Sequence, residues 1–277
     1  MGKCCFSYEC NNFTSYCHDC NHLKDYPKSS FFDKSTYYFK KKKNIYDKSS
    51  NIIFAGGSFV YGRSKISSLL KNKQVELIEE PIDYDSVYYP RNTDDLRKKL
   101  NIPSSNIVIL TITNFGDVRK GGRFFFDLHE QMKEKKGYSY VFVGYDGNVF
   151  GKKEGVITIP YVKDKDELAE YYSLADVFVF TSLADTSPNT VQQALGCGSP
   201  VCAFKIEGIS TMGISDNKVL NLSETKDVEC LKNNVLLYGK KDIETIKKCR
   251  DSVYEKYNIT SICKKYLELY RKIITGQ

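Results

Sequence analysis

From Asn106 to Ile206 the chain alternates short, almost wholly apolar runs with longer segments whose apolar residues recur every three or four positions. The apolar runs are NIVILTITN (106–114), YSYVFVG (138–144), GVITIPYV (155–162), DVFVFTS (176–182) and SPVCAFKI (199–206). Runs this short, rich in β-branched and aromatic residues, predict strands buried on both faces. Between them, RFFFDLHEQMKEKKG, KDELAEYYSLA and NTVQQALGCG carry helical spacing. Strict alternation of strand and helix calls for an α/β fold, with a parallel, doubly wound, Rossmann-like sheet. The pattern marks residues 93–245 as one complete domain, opened by the short helix DDLRKKLNIP and closed by the helical DVECLKNNVLLYGK. A second Lys-rich helical segment runs from Ile243 to Gly276, and residues 246–277 are expected as C-terminal helices packing back toward the N-terminal part.

Residues 1–92 read differently. A polar, aromatic and basic helix is expected over 29–49, a short strand over 50–57, a helix over 64–72, and a strand from Gln74 leading into an extended connection to Pro90. This stretch is too short and irregular for a second complete domain.

No apolar run approaches the roughly 18 residues of a membrane span, and MGKCCFSYEC lacks a signal-peptide core. A cytoplasmic location is expected. The formal net charge is +7, densest at FKKKKNIYDK (39–48), which reads first as a solvated helix face and second as attraction to an anionic membrane or a phosphorylated substrate. Five of the ten cysteines fall in the first twenty residues. In a reducing compartment Cys4 (or Cys5), Cys10, Cys17 and Cys20 have the ligand count of a structural zinc site, with reduced thiols as the alternative. His18 and His22 are stand-in ligands or exposed polar residues. A basic zinc-ribbon that binds nucleic acid is set aside, because the cysteines precede a full α/β domain.

Open α/β sheets bind ligands outside the carboxyl ends of their strands. After VILTITN comes Phe115-Gly116-Asp117-Val118-Arg119-Lys120-Gly121-Gly122; after YVFVG comes the turn Gly144-Tyr145-Asp146-Gly147; after VFVFTS comes LADTSPNT, opening a helix at Pro188. Arg119 offers a planar fork and Lys120 a compact charge, a pair suited to a diphosphate. The N–H groups of Asn189, Thr190 and Val191 would add donors at the helix start. Taken singly, a basic glycine turn is a solvated loop and Ser/Thr/Asn before a helix is a cap; together at one sheet edge they point to a site.

ADVFVFTSLADTSPNTVQQALGCGSPVCAF (175–204) resembles the signature of glycosyltransferase family 4, and NFGDVRKGG (114–122) resembles that family's strand-end Arg-Lys-Gly element. YPKSSFFDKS and VELIEEPIDYDSVYYP resemble its interdomain region, and GKCCFSYECNNFTSYCHDCNHLKDYPKS resembles the Cys-rich segment of a bacterial polysaccharide branch. The resemblance implies a GT-B architecture and transfer of a sugar from a nucleotide-sugar donor to a glycan or lipid-linked acceptor. The setting it implies is bacterial surface polysaccharide assembly (capsule or lipopolysaccharide), with peripheral contact at the inner membrane. It further implies retention of configuration and no catalytic metal or other cofactor. On this analogy Arg119 and Lys120 bind the donor diphosphate, and Asp185 sits where the family's first acid meets the donor sugar. Gly116, Gly144, Pro188, Asn189, Thr190 and Val191 line the donor, and Gln193 replaces the acid that holds the ribose.

The chain departs from that pattern at Ala184, Asp185 and Gln193, and after the last expected strand only Gly208 remains of a glycine-rich loop. Residues 1–92, with the Cys-rich segment 4–20, would then be the remnant of a longer acceptor domain, which a separate chain would supply. The alternative reading is a non-catalytic nucleotide-sugar-binding remnant or the partner subunit of a split enzyme.

Overall fold

The computed structural model describes residues 10–20, 22–23, 32–49 and 53–275. They form two compact units, Met1–Glu79 and Glu80–Gln277.

The first unit contains α1 (Ser35–Lys48), β1 (Phe54–Gly56), α2 (Ser58–Ile66) and β2 (Val75–Leu77). β1 and β2 pair in parallel, Phe54 with Val75 and Gly56 with Leu77, and α2 makes the crossover. The helix expected over 64–72 begins instead at Ser58, because the Glu79 carboxylate accepts from Ser58 N (3.1 Å) and from its hydroxyl. That cap is 21 residues away and invisible to local pattern. In α1 only Phe39 is buried, so its lysines do form a solvated face. Asp33 precedes α1 and accepts from the backbone N–H groups of Cys20 and Ser35, both at 2.8 Å. Those bonds hold its carboxyl below the usual range.

The zinc expectation is corrected here. Among the described residues no group of three or more His, Cys, Asp or Glu side chains is placed to hold a metal. Cys10 and Cys17 are buried and Cys20 is half-buried. Cys4 and Cys5 lie outside the described residues.

The second unit runs α3 (Asp94–Lys99), β3 (Ile107–Ile112), α4 (Arg123–Met132), β4 (Tyr138–Val143), α5 (Gly147–Phe150), β5 (Val156–Ile159), α6 (Lys165–Leu174), β6 (Val177–Phe180), α7 (Asn189–Gly196), β7 (Val201–Phe204), α8 (Glu207–Ser210), β8 (Leu220–Ser223), α9 (Val228–Val235), α10 (Ile243–Tyr257) and α11 (Ile259–Thr275). Six parallel strands form one sheet in the order β5-β4-β3-β6-β7-β8. The five expected strands are all present, and the doubly wound expectation holds. β8 was not expected: its four residues, LNLS, are a short run with only two apolar side chains, although Ser215-Asp216-Asn217 supplies a turn just before it.

Alternate residues of each strand feed two cores. Val108, Leu110, Phe178, Phe180, Val201 and Ala203 join α6, α7 and α10 on one face. Ile109, Phe142, Val177, Val179, Cys202 and Phe204 join α4 and α9 on the other. Cover on both faces is why these strands are almost wholly apolar. His129 is buried in α4 edge-on to Tyr140, and burial lowers its pKa. Burial pushes the Cys197 and Cys249 thiols up to about 12, as expected of inert core cysteines. Cys263 departs from that reading, because α11 exposes it.

The ends add detail to these expectations. Residues 80–92 pack with the second unit, because Tyr84 and Tyr88 are buried in the core beside α7 and α10. The stretch 243–276 is broken at Asn258, whose extended backbone ends α10 while its Oδ1 accepts from Thr260 N (2.8 Å) to start α11. Asn258 Nδ2 donates to Asp85 (3.1 Å), and Ile82 bonds Tyr257 O and Ile259 N (2.8 and 3.0 Å), so the break meets the 80–90 segment.

Arg250 of α10 ties this corner together. Its guanidinium donates to Tyr84 O (2.7 Å), Tyr88 O (3.3 Å) and Gly196 O (3.1 Å). A lysine ammonium cannot span three carbonyls set in a fork. Arg250→Lys is therefore expected to cost about 1–3 kcal/mol. The check is a lower urea midpoint at unchanged slope; an unchanged midpoint would show the three bonds to be dispensable.

Candidate functional site

β3 and β6 are neighbours, but the chain leaves β3 for α4 on one face and leaves β6 for α7 on the other. The two exits diverge, and the crevice between them at the strands' carboxyl ends is the topological switch point of the sheet. Both of the principal segments singled out in the sequence, 113–121 and 181–188, lie at it.

The two exits are tied together by main chain. Leu183 N donates to Arg119 O (2.7 Å), Ser182 Oγ donates to the same carbonyl (3.2 Å), and Thr181 Oγ1 donates to Gly121 O (2.9 Å). Gly121 adopts φ +65° and lies so close that a Cβ would overlap the Thr181 carbonyl. Residues 118–120 form a single 3-10 turn between Asp117 and Gly121. Gly208, at the start of α8, has the same constraint against the Asp185 carbonyl. It is a packing position under the loop that carries Asp185.

Within the turn, Asp117 binds Arg119 three times: Oδ1 accepts from its N (3.0 Å) and Nε (3.2 Å), and Oδ2 from a terminal guanidinium nitrogen (2.8 Å). Hydrogen bonding to Arg119 is the largest cause holding the Asp117 carboxyl below its usual range, against the opposing effect of burial. Lys120 Nζ reaches across the crevice to Asp185 Oδ2 at 2.7 Å, and Asp185 is the more buried partner. Each expected cation thus has a carboxylate partner, Arg119 within its own turn and Lys120 on the facing loop.

Asp185 Oδ1 also accepts from Ser187 N (3.2 Å), and Ser187 Oγ donates to Asn189 Oδ1 (3.3 Å). Asn189 Nδ2 donates to Glu80 Oε2 (3.0 Å), which brings a carboxylate from the 80–90 segment to the start of α7. Pro188 is the N-cap and supplies no side-chain cap. Of the three N–H groups expected to meet an anion, Asn189 N already donates to Ser187 O (2.8 Å) and Val191 N to Pro188 O (2.9 Å). Thr190 N–H has no protein acceptor among the described residues.

Gln193 lies one turn into α7, and its Oε1 accepts from the hydroxyl of the buried Tyr172 (3.0 Å). Its carbonyl oxygen is therefore directed to α6. Gly116 is exposed in the β3 exit, its N–H donating to Asn114 Oδ1 (3.0 Å). Gly144 ends β4 and lies beneath that exit, its carbonyl accepting from Phe115 N (3.3 Å). Phe115 packs edge-on against Tyr145 and Phe150, with centroids 4.8 and 5.0 Å away.

The structure therefore brings Arg119, Lys120, Asp185 and the start of α7 to one place, with Gly116 and Gly144 at its β4 side and Gln193 turned away. Sequence reading missed Asp117, Glu80 and Tyr172. Asp117 had a local signal, an Asp two residues before Arg119 beside a glycine; Glu80 and Tyr172 reach the site from distant segments. Chemically, two adjacent cations, a helix start with an unused N–H and a buried carboxylate form a place for a polyanion, which would take the positions of the internal carboxylates.

Residues 106–238 match the family model described as Glycosyl transferases group 1. The chain is 22% identical over 226 residues to N-acetyl-alpha-D-glucosaminyl L-malate synthase of Bacillus anthracis, covering 73% of this chain and 55% of that protein. It thus spans about half the length of this curated relative. The structure is similar to sucrose-phosphate synthase from Thermosynechococcus elongatus (TM-score 0.70, 20% identity, 94% of this chain and 65% of that one). It is also similar to Anabaena HepE solved in complex with UDP-glucose (TM-score 0.66, 15% identity, 87% of this chain and 68% of that one). The fold is the α/β fold of GT-B glycosyltransferases.

The Asp117–Arg119 clasp predicts a pH dependence. A carboxyl depressed in the folded state contributes stability above its unfolded pKa of about 4, and loses it as pH falls through the folded value. Asp117→Asn should lower stability by a constant amount from neutral pH down to about pH 4, with the gap to wild type closing at more acidic pH. Urea midpoints of both proteins across that range test this; a gap that persists unchanged in acid would mean the clasp contributes nothing.

Proposed function

We propose that this chain is a glycosyltransferase that moves a sugar from a nucleoside diphosphate sugar to a glycan or lipid-linked acceptor. The proposed setting is bacterial surface polysaccharide assembly at the cytoplasmic face of the inner membrane. The observation that carries the reading is the Arg119–Lys120 turn fastened to the Asp185–Asn189 loop at the switch point of a GT-B-type sheet. Relatives of this fold include a protein solved with UDP-glucose.

In this reading the donor diphosphate exchanges with Asp185 for Lys120 and lies beside the Arg119 guanidinium and the Thr190 N–H. As the bond from the sugar to the diphosphate breaks, negative charge grows on the leaving group and positive charge on the sugar ring. Fixed cations strengthen their hold as that charge develops, so they favour the transition state over the ground state. Asp185, released from Lys120, is then a carboxylate next to the cationic sugar. The leaving group needs no divalent metal where two side-chain cations meet it, and the reading includes retention of configuration. Gln193 would approach the ribose through its amide nitrogen, since its oxygen is held by Tyr172.

A second reading, a nucleotide-sugar-binding protein without turnover, is favoured by that same Gln193–Tyr172 bond, which withholds an acceptor from the ribose. Calorimetric titration with a panel of nucleoside diphosphates and their sugars separates the outcomes. Wild type should bind at least one of them, and Arg119→Ala should weaken binding roughly 10- to 100-fold by removing a charge-assisted partner. Gln193→Glu should hold or raise transfer to acceptor if the chain is an enzyme and leave it at zero if it only binds. Absence of binding by wild type to every member would end both readings.

A further inference from the structure

The charges at the switch point do not cancel. Asp117 neutralises Arg119, and Asp185 neutralises Lys120. Glu80 stands outside this balance: it is exposed, accepts from Asn189 Nδ2 (3.0 Å) and has no ion-pair partner among the described residues.

Glu80 is joined to Asp185 through the residues between. Ser187 N donates to Asp185 Oδ1 (3.2 Å), Ser187 Oγ donates to Asn189 Oδ1 (3.3 Å), and Asn189 passes the chain on to Glu80. A carboxylate can only accept, so Glu80 fixes which way round the Asn189 amide sits. The result is a hydrogen-bonded row along the start of α7 with an acid at each end.

In the proposed function the donor diphosphate replaces Asp185 at Lys120. Both ends of the row are then carboxylates without a cation, and the transferred sugar lies beside them. Resting on that reading, we propose that the sugar this site accepts is neutral or cationic, and that Glu80 is the residue that excludes acidic sugars. A carboxylate accepts from sugar hydroxyls and attracts an amino group, whereas a carboxylate on the sugar would face it like charge to like. Both cations are engaged by the diphosphate, so neither is left to compensate. The repulsion does not need direct contact, because charges act over a Debye length of about 8 Å at physiological salt.

Calorimetric titration with UDP-glucosamine, UDP-glucose and UDP-glucuronate varies the charge of the sugar on one nucleotide. GDP-mannose and GDP-mannuronate repeat the comparison on a second. Wild type should bind in the order of sugar charge, the neutral sugar roughly tenfold tighter than the uronate, and the gap should shrink as salt rises. Glu80→Gln removes the charge but keeps an oxygen for Asn189, so the gap should narrow to about threefold or less. The salt series needs no variant and reads the same repulsion in the native chain. A gap that survives Glu80→Gln, a gap indifferent to salt, or a uronate bound as tightly as its hexose overturns the proposal and leaves the donor site standing. Failure of wild type to bind any of these nucleotide sugars overturns the proposal together with the donor reading.

Discussion

The carbonyl of Arg119 holds the switch-point end of the six-stranded sheet together. It accepts a main-chain N–H and a hydroxyl from the β6 exit, and through it two loops from opposite sides of the sheet become one body. The approach is tight enough that Gly121 admits no side chain, and Gly208 is under the same restriction behind Asp185. With the loops fastened, Lys120 is within reach of Asp185 and the entry angle of α7 is set. A looser junction would leave two solvated turns, each ordinary by itself.

Charge is balanced internally at that junction. Two cations in a half-buried crevice repel one another and lose hydration, so each is met by an acid: Asp117 from the same turn and Asp185 from the facing loop. Asp117 is the more firmly attached, contacting its partner with both oxygens. The carboxylates keep the cations oriented before any ligand arrives, and orientation in advance is what makes electrostatic stabilisation effective. Exchange of one anion for another then changes the charge of the site less than filling an empty cationic pocket would. Glu80 adds negative potential beside the helix start, so this crevice is less electropositive than Arg-Lys-Gly-Gly implies on paper.

The sheet was legible because its strands are buried on both faces, leaving near-continuous apolar runs that few other structures produce. The cluster of Arg119, Lys120 and Asp185 was legible because each follows such a strand directly. What escaped has a common cause. The start of α2 depends on Glu79, the orientation of Gln193 on Tyr172, and the break at Asn258 on Asp85; each partner lies 21 or more residues away in sequence. The expected gathering of Cys10, Cys17 and Cys20 failed for the converse reason, since spacing states how many ligands exist and not where the backbone carries them. Backbone donors at α7 were overcounted, because Ser187 and Pro188 turn back to accept two of the three.

The Arg250 fork bears on how the protein is made. Tyr84, Tyr88 and Gly196 emerge from the ribosome long before the guanidinium that unites them, and the core face of α7 is completed only by Cys249, Val253 and Tyr257 of α10. A nascent chain extending only to β8 therefore has its sheet but presents an uncovered apolar flank until α10 clears the exit tunnel. Closure of this core face therefore comes late in synthesis, once α10 is available to cover α7.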